Sequence, residues 1–518
     1  MKKTMTFAAA LLAASVLGGM ANAKTLVYCS EASPANFDPG TTTGGNDFDA
    51  SSRTVYSRLV EFKHGGTEIE PGLADKWEIS DDGLVYTFHL HPGVKFQTTD
   101  YFKPTRDLNA DDVVFNLNRW CEKGASGNSM AARVGALVDA KTGKARDGAI
   151  TKVDDHTVKL KLSEADIAII PGFTDYPALV VHRNFDKDGA DPIKKPIGTG
   201  AFELVSYDVG QKAVVKRREN GKWWGGEAPL DGVEFIDYGT DFNATLNAFD
   251  SGEIDLDFET PADFIDPLDK MELVKSEVAT ATTLVARTNI THKPYDDKRV
   301  RNALQMAVDN NQVMQLGYAG RGTVGENHHV SPIHPEYYPL PKKERDAAGA
   351  KKLMADAGHA DGFELDLVTR PDPIWELNTT QAMAEQLKDI GIKANIKSLP
   401  SAQYWEVWTS APFSLTAWGH RPLAIMTLGL AYRSNAAWNE SHFSNAEFDK
   451  LLTQAEGILD PKERSKVMEK IELIMQDEGP IVQPFWRIFS TVMDKKVQGF
   501  ELHPSQYIFA KDYAVASA

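Results

Sequence analysis

The chain repeats a helix followed by a strand, and this alternation constrains its fold more than any other feature. In 379–396 apolar residues recur at helical spacing, Gly391 ends the pattern, and apolar residues then alternate as in a strand. A second unit of this kind occupies 353–367, where Gly358 separates helix from strand. Such units build an α/β domain in which helices pack on a sheet.

A long helix is expected after Asp460. Aspartate is a typical N-cap residue, Pro461 suits the first helical position, and Glu463 stands three residues after the cap. Apolar residues then repeat with the helical period until Gly479-Pro480. The segment is therefore predicted to be one helix with a defined start and end.

Antiparallel strands are predicted earlier in the chain, where 71–96 reads PGLADKWEISDDGLVYTFHLHPGVKF. Its apolar and aromatic residues stand in short extended runs. The turn formers Asp81-Asp82-Gly83 and Pro92-Gly93 interrupt these runs, which is the pattern of a β-hairpin.

The N-terminus has the three parts of an export signal. Lys2 and Lys3 are basic, 7–17 is apolar but too short to span a bilayer, and 21–23 is an Ala-Asn-Ala cleavage site. We expect cleavage after Ala23, which leaves a periplasmic protein that begins at Lys24.

A lipoprotein is the alternative, because 26–29 reads LVYC and faintly resembles a lipobox. However, Tyr28 is too bulky for the position before a lipidated cysteine, and Cys29 lies well past the apolar run. A soluble exported protein is therefore the prediction.

Composition limits the size and the partners of the protein. A chain of 518 residues is long enough for two to four domains, and its hydrophobic content of 42% suffices for real cores. The formal net charge of −17 repels phosphate backbones and anionic lipid. Nucleic acid is therefore excluded as an expected partner.

Five segments together resemble the family 5 extracellular solute-binding proteins, the periplasmic receptors that deliver peptides and similar solutes to ABC importers. Two of them are 71–96 and LNADDVVFNLNR at 108–119. The other three are PIGTGAF at 196–202, SGEID at 251–255 and NITHKPYDDKRVRNALQMAVD at 289–309. Because the five segments occur in the order and at the separations found in the family, the resemblance extends over essentially all of the mature chain.

The resemblance implies an α/β, two-lobed periplasmic-binding-protein (flytrap) fold with an extra domain inserted in the first lobe. Solute binds between the lobes in this fold. The hinge is expected near 284–286 and 497–499. The implied division is a signal peptide at 1–23, lobe I at 24–57, 190–285 and 495–518, the inserted domain at 58–189, and lobe II at 286–494.

The first-lobe loop 41–47 is a candidate ligand contact, because its counterpart in dipeptide-binding relatives lies at the cleft. It is rich in hydroxyl and amide groups, and Thr43, Asn46 and Asp47 are the residues chosen from it. A plain surface loop is the alternative.

Arg370 is a sharper candidate. Arg370-Pro371 aligns with an Arg-Pro of the dipeptide-binding branch, whose arginine holds the carboxylate of the peptide. A guanidinium offers a rigid fork of donors that matches two carboxylate oxygens. The alternative is an arginine in a surface ion pair.

The chain departs from the dipeptide receptors at 418–423. Those relatives have Trp-x-Gly-Asp there, and the aspartate pairs with the α-amino group of the ligand, whereas this chain has Trp418-Gly419-His420-Arg421. A cation in place of the carboxylate reverses the sign of the site. Free dipeptides are therefore expected to bind poorly, and a ligand with an extra carboxylate or a blocked amine is expected to bind better.

Aromatic residues are dense in the same region and are suited to stack on an organic ligand. Aromatic side chains also fill cores, and about half of them are expected to be structural. Trp375, Trp418 and Tyr432 are the predicted ligand contacts.

Two cysteines in an exported protein suggest one disulfide, Cys29 to Cys121. The resemblance speaks against the native pairing of the dipeptide-binding branch, because the partner cysteine there lies where this chain has Ile254. A Cys29–Cys121 bridge and two buried free thiols both remain open.

An enzyme is the rival class. The sequence has no G-x-S-x-G, no H-E-x-x-H, no P-loop and no pair of C-x-x-C motifs. The close histidine pairs are His328-His329 and His89/His91. The second pair could lie on one face of a strand and bind metal, but no nearby cysteine or acidic cluster completes a site. We therefore predict no catalysis, no metal and no cofactor.

The predicted function is that of the periplasmic substrate-binding component of an ABC importer. It would capture a peptide or peptide-like solute as a monomer and deliver it to the inner-membrane permease. The alternatives are a receptor for a non-peptide solute, such as an oligosaccharide, an opine-like or a multi-carboxylate compound, and a periplasmic hydrolase.

Overall fold

The structure is a computed structural model that describes residues 24–41, 46–103, 106–189, 191–218, 223–268 and 270–516. The predicted signal peptide and its cleavage site lie outside these residues. Within the described part, no helix is long and apolar enough to cross a membrane.

Helices and strands alternate over 347–418, as the sequence predicts for this part of the chain. The strands are β1 Thr25–Ser30, β2 Val60–Phe62, β3 Ile69–Pro71, β4 Ala74–Ile79, β5 Val85–Leu90, β6 Ile150–Asp154, β7 Thr157–Lys161, β8 Phe202–Asp208, β9 Lys212–Arg217, β10 Gly232–Asp237, β11 Leu256–Asp257, β12 Val274–Thr288, β13 Gly322–Val324, β14 Phe363–Thr369, β15 Ile392–Ser398, β16 Phe413–Trp418, β17 Ile481–Val482, β18 Phe485–Met493, β19 Val497–Gln498 and β20 Ala514–Val515. The helices are α1 Asn46–Val55, α2 Ala110–Trp120, α3 Ile169–Gly172, α4 Phe185–Asp188, α5 Phe242–Asp250, α6 Ile265–Leu268, α7 Lys298–Ala307, α8 Asn310–Gly317, α9 Ala347–Asp356, α10 Ile374–Leu387, α11 Ser401–Val407, α12 Ala424–Ala431, α13 Ala446–Glu456 and α14 Pro461–Glu478.

One large mixed sheet runs through the molecule in the order β15-β14-β16-β12-β18-β11-β1-β10-β9-β8, with β13 on β18 and β17 on β12. The pairs β14–β15 and β1–β10 are parallel, whereas β12–β16 and β12–β18 are antiparallel. Strands from both ends of the chain therefore meet in this sheet.

The strands β12 and β18 connect the two halves of the large sheet. β12 pairs with β18 over 274–279, shifts register, and pairs with β16 over 283–288. The expected crossover at 284–286 thus lies in β12. The expected crossover at 497–499 is wrong, because β19 pairs only with β20 in a separate ribbon and β18 makes the second crossing.

The predicted hairpin is confirmed and belongs to a separate four-stranded sheet with the order β4-β5-β7-β6. Alternate residues of β5 are buried, so one face of this sheet packs inward. Its hydrophobic cluster includes Phe88, Trp120 and Phe173, and its buried residues differ from those of the cluster around β1, although Ile69 and Phe185 pack against both. The boundaries of the inserted domain and of the two lobes stay predictions.

The predicted helix boundaries follow from their caps. Asp460 Oδ1 accepts hydrogen bonds from the backbone N–H groups of Lys462 and Glu463 at 2.8 and 3.0 Å, and this starts α14. Gly479 ends α14 with a φ of 62°, in the left-handed region that favours glycine. The predicted strands after α9 and α10 are β14 and β15.

Close packing against another backbone segment explains the glycines of the segment 196–202. A Cβ atom on Gly198 would stand 2.1 Å from the backbone oxygen of Val55, and one on Gly200 would stand 2.4 Å from that of Thr54. Only glycine allows the two backbones to approach this closely.

Both cysteines are buried free thiols. Cys29 packs in a cluster with Phe242 and Phe249, whereas Cys121 packs in the cluster of the four-stranded sheet. The Cys29–Cys121 bridge that the sequence left open is therefore not formed. Burial raises the pKa of each thiol to about 12, so both stay protonated at neutral pH.

Asp257 in β11 is a buried carboxyl group without a cationic partner among the described residues. Its oxygens accept hydrogen bonds from Thr260 Oγ1 and from the backbone N–H of Val492, at 2.7 and 2.8 Å. Burial raises the pKa of Asp257 to about 7, and Glu259 adds to the effect.

We expect Asp257→Asn to make the protein less sensitive to pH. The folded pKa of Asp257 exceeds its unfolded value, so its stabilising contribution is present in acid and is lost as pH rises through about 7. The unfolding free energy of the variant minus that of the wild type should therefore increase by about 2–3 kcal/mol from pH 5 to pH 8. Urea unfolding across this pH range measures the difference. A constant difference would contradict the prediction, and the exposed Asp361→Asn is the control.

Candidate ligand-binding cleft

A cavity of about 480 Å³ opens between two walls that come from distant parts of the chain. This volume suits a small organic molecule. One wall comes from the predicted first lobe and inserted domain, with Gly66, Thr67, Ile69, Pro171, Ala279 and Pro504, and the other comes from the predicted second lobe, with Ile333, His334, Pro335, His420, Pro422 and Leu423. The cavity is thus mostly apolar, with two imidazole groups on one side.

His420 lines this cavity and holds a neutral imidazole ring. The backbone N–H of Ala281 donates to His420 Nδ1 at 3.0 Å, which assigns the proton of the neutral ring to Nε2. Burial lowers the pKa of His420 well below its ordinary value, and the charges of His334, His503 and Arg421 add to the effect. Nε2 is buried and has no hydrogen-bond partner. The sequence prediction thus falls on a cavity-lining residue.

His334 holds the loop that carries Arg421. Its Nδ1 accepts from the backbone N–H of Ser331 at 3.0 Å, and its Nε2 lies 3.0 Å from the backbone oxygen of Arg421. Burial lowers the pKa of His334 to about 4, so the ring is neutral and Nε2–H donates to that oxygen. The sequence analysis did not select His334, and no motif or spacing singles it out.

Arg421 lies between the cavity-lining residues His420 and Pro422. Its guanidinium stands 6.0 Å from the centre of the Trp418 ring, and Nη1 donates to the backbone oxygen of Gly419 at 3.4 Å. Its Nε is buried without a hydrogen-bond partner. Burial lowers the pKa of Arg421, the charge of Asp175 opposes this, and the charge of Arg133 adds to it.

Asp175 is a carboxylate whose charge acts on Arg421, and it is not among the site residues predicted from the sequence. Its oxygens accept from Arg133 Nε at 2.5 Å, from Tyr507 Oη at 3.1 Å and from the backbone N–H of Tyr176 at 2.8 Å. Burial alone would raise the pKa of Asp175, but the guanidinium groups of Arg133 and Arg421 lower it to about 2. It is therefore ionised.

Arg370 is engaged by a carboxylate of the protein itself. Its Nε donates to Glu376 Oε2 at 3.0 Å and its Nη2 contacts Glu376 Oε1, so the two side chains form a bidentate ion pair. Nη1 reaches Ser401 Oγ at 3.4 Å, and the guanidinium lies 5.1 Å from the centre of the Trp405 ring. Arg370 does not line the cavity described above. Its role in ligand binding stays a prediction.

The three selected aromatic residues are buried, each in a different setting. Trp375 packs against Arg487, whose guanidinium lies 4.1 Å from a ring centre of Trp375. Trp418 Nε1 donates to Glu440 at 2.9 Å, and the Tyr432 hydroxyl lies 2.6 Å from His329 Nδ1. The polar atoms of Trp418 and Tyr432 are thus used inside the protein, whereas Trp375 Nε1 has no partner.

The predicted contacts in the loop 41–47 have no described side chains. Thr43 lies outside the described residues. Asn46 and Asp47 begin helix α1, but their side chains are outside the described part of the structure. All three stay predictions.

The histidine pairs occupy unrelated places. His328 is fully buried, with Nε2 3.6 Å from Glu326 and 3.7 Å from Glu472, whereas His89 and His91 lie near single acidic residues on the four-stranded sheet. Within the described ranges, no three histidine, cysteine or acidic residues are grouped as metal ligands.

Comparisons with known proteins agree with this architecture. Residues 68–439 match the family described as "Bacterial extracellular solute-binding proteins, family 5 Middle". Di/tripeptide-binding protein 1 of Pseudomonas aeruginosa is 33% identical over 519 residues, which cover 95% of this chain and 95% of that protein. Heme-binding protein A of Haemophilus influenzae is 30% identical over 550 residues, which cover 98% of each chain.

A solved structure supports the fold. The periplasmic binding protein DppA from Helicobacter pylori, in complex with the peptide STSA, superposes with a TM-score of 0.84 at 24% identity and covers 95% of this chain and 98% of its own. The predicted two-lobed α/β fold is confirmed. With its match over 68–439 and its 33% identity across 95% of the chain, this protein belongs to the bacterial extracellular solute-binding proteins of family 5.

Proposed function

We propose that this protein is the periplasmic substrate-binding component of an ABC importer. It captures a peptide-like solute between its two lobes and delivers the solute to an inner-membrane permease. The observation that carries the proposal is the cavity of about 480 Å³, because its two walls come from distant parts of the chain. A ligand that touches both walls stabilises the closed arrangement, which is the form that an importer can distinguish from the empty receptor.

The lining of the cavity supports an organic solute. Proline, isoleucine and leucine side chains supply apolar contact area, and the rings of His334 and His420 line the same cavity. Among the relatives, one is named for di- and tripeptides and another for heme, so membership of the family leaves the solute of this chain open.

The finer parts of the proposal follow from the sequence. The signal peptide is cleaved after Ala23, and the mature protein works as a monomer in the periplasm. It binds its solute without turnover, since the chain has none of the nucleophile or metal motifs that a cell-wall hydrolase would need.

A non-peptide solute is the second candidate. One observation favours it: the backbone of Arg421 contacts His334, which lines the cavity. A cation at this place would repel the ammonium group of a free peptide. An opine-like or multi-carboxylate compound fits this charge better than an unmodified dipeptide. An oligosaccharide would use the apolar and aromatic surfaces instead.

We expect the radius of gyration to fall when the solute binds, because the lobes close around it. Native mass spectrometry of the purified protein identifies a co-purified small molecule, and small-angle scattering with and without that molecule measures closure. The monomer mass is read from the same samples. An unchanged radius at saturation would contradict the two-lobed capture mechanism, and conversion of the molecule to a product would favour the hydrolase.

A further inference from the structure

A short segment between β7 and α3 is shared between two hydrophobic cores. Ile169 and Ile170 in α3 are buried in the cluster of the four-stranded sheet. The two residues before them, Ile167 and Ala168, pack instead against the cluster of α12, α13 and α14 in the predicted second lobe. The residues 165–168, here called the bridging segment, therefore connect the predicted inserted domain to the opposite lobe.

The bridging segment meets the end of α13. The backbone N–H of Ile167 donates to the backbone oxygen of Glu456 at 3.0 Å. A Cβ atom on Gly457 would stand 3.8 Å from the Cβ of Ala165, which is ordinary van der Waals contact. These residues belong neither to β12 nor to β18, the strands that connect the two halves of the large sheet. The contact is therefore a further link between the two bodies, outside the connecting strands.

The bridging segment leads directly to the cavity. Pro171, in α3, lines one wall, and Leu423 of the other wall packs against the same second-lobe cluster as Ile167. The two walls thus come from the two bodies that the segment connects. Opening of the cavity by rotation about β12 and β18 would pull the segment away from α13.

The contact is weak enough to open. Burial raises the pKa of Asp166 to about 6 and that of Glu456 to about 7, and Glu164 raises both pKa values further. Arg433 opposes these shifts and pairs with both carboxylate oxygens of Glu456, at 2.5 and 2.6 Å. Removal of acidic groups from water is unfavourable, so one backbone hydrogen bond and two partly buried apolar side chains hold this interface only loosely.

We propose that the bridging segment is a closure latch, which docks on the end of α13 when the lobes close and leaves it when they open. The inference rests on the proposed function and gives the inserted domain a part in it. Because the latch adds contacts to the closed form alone, it favours that form and slows the release of the solute.

A disulfide across the latch tests whether the contact belongs to the closed form. The double variant Ala165→Cys, Gly457→Cys places two Cβ atoms 3.8 Å apart, a separation typical of disulfides. Gly457 has a φ of −89°, which any residue adopts without strain. The native thiols Cys29 and Cys121 are buried and do not compete.

Small-angle scattering then compares the oxidised and reduced double variant, after unfolding, dialysis and refolding have removed any bound solute. The oxidised form should have the smaller radius of gyration, because the disulfide holds the lobes closed. Each single variant, treated with the same oxidant, should keep the radius of the reduced protein.

The rate of disulfide formation measures how often the latch docks. In the double-cysteine background, Ile167→Ser should slow cross-linking by about three- to tenfold, because it removes apolar contact from the docked form. Leu459→Ser is the matched control, since this side chain of the loop after α13 is 60% exposed. The control should leave the rate within about twofold. Melting temperatures verify that each variant is folded.

The outcomes separate the latch from the function on which it rests. Equal radii of the oxidised and reduced double variant overturn the latch, because the contact would then persist in the open protein. Cysteines that do not join, or an unchanged rate in Ile167→Ser, also overturn it. In each case the proposed function stands if the wild-type protein contracts around its co-purified solute. A wild type that does not contract, together with a smaller oxidised variant, retains the latch and overturns capture by closure.

Discussion

Replacement of Glu440 by alanine is expected to lower the free energy of unfolding by about 3–5 kcal/mol, because it leaves a buried guanidinium without its counter-charge. Arg287 in β12 and Glu440 are both almost completely inaccessible, and Arg287 Nε donates to Glu440 Oε2 at 3.0 Å. The same carboxylate accepts from Thr416 Oγ1 at 2.6 Å and from Trp418 Nε1 at 2.9 Å. One substitution therefore removes an acceptor that three buried donors share, although Thr416 Oγ1 also contacts Tyr404 Oη at 2.6 Å.

Urea unfolding followed by tryptophan fluorescence measures this loss. Glu440→Gln retains an acceptor and should lose less than Glu440→Ala. Glu385→Ala removes the acid of an exposed helical ion pair with Lys388 and should change the free energy of unfolding by less than about 0.5 kcal/mol. A loss below about 1 kcal/mol in Glu440→Ala would show that the surroundings of Arg287 rearrange to satisfy it.

Arg370→Ala is expected to destabilise the protein by a similar amount, about 3–5 kcal/mol, whether or not Arg370 contacts the solute. Glu376 is fully buried, and Arg370 pairs with both of its oxygens. Burial raises the pKa of Glu376, and the charges of Arg370 and Arg487 oppose this. Without Arg370, the carboxyl group either remains charged in an apolar site or takes up a proton, and each of these costs stability.

The double variant Arg370→Ala, Glu376→Gln separates the internal ion pair from a contact with the solute. It removes the buried charge together with its partner, so much of the lost stability should return. If Arg370 also holds a carboxylate of the solute, the double variant should remain at least about tenfold weaker in titration calorimetry with the co-purified solute. Affinity restored along with stability would assign Arg370 to the fold alone.

Several local features of the fold could be predicted from sequence pattern alone. The Asp460 cap, the stop at Gly479, the hairpin around Asp81-Asp82-Gly83 and the helix-to-strand turn at Gly391 are all present in the structure. Each follows from the spacing of apolar residues and from the backbone preferences of a few turn and cap residues. Five such segments in a fixed order were also sufficient to indicate the family.

The family resemblance, and not local pattern, selected His420 and Arg421, and in the structure His420 and Pro422 line the cavity while Arg421 lies between them in the chain. The sequence could not show which groups surround these two residues. Whether Arg421 meets a ligand, water or a carboxylate depends on the opposite wall, and Asp175 lies far from it in the chain.

The distribution of the buried charges depends on contacts between segments that are distant in the chain. The tertiary structure pairs Arg370 with Glu376 and Arg287 with Glu440, assigns the second crossing between the halves of the sheet to β18, and keeps Cys29 and Cys121 in separate clusters. The physical reason is common to all four. A buried charge, a strand partner or a thiol takes its neighbours from segments that packing brings together, and periodicity along the chain carries no information about those distant segments.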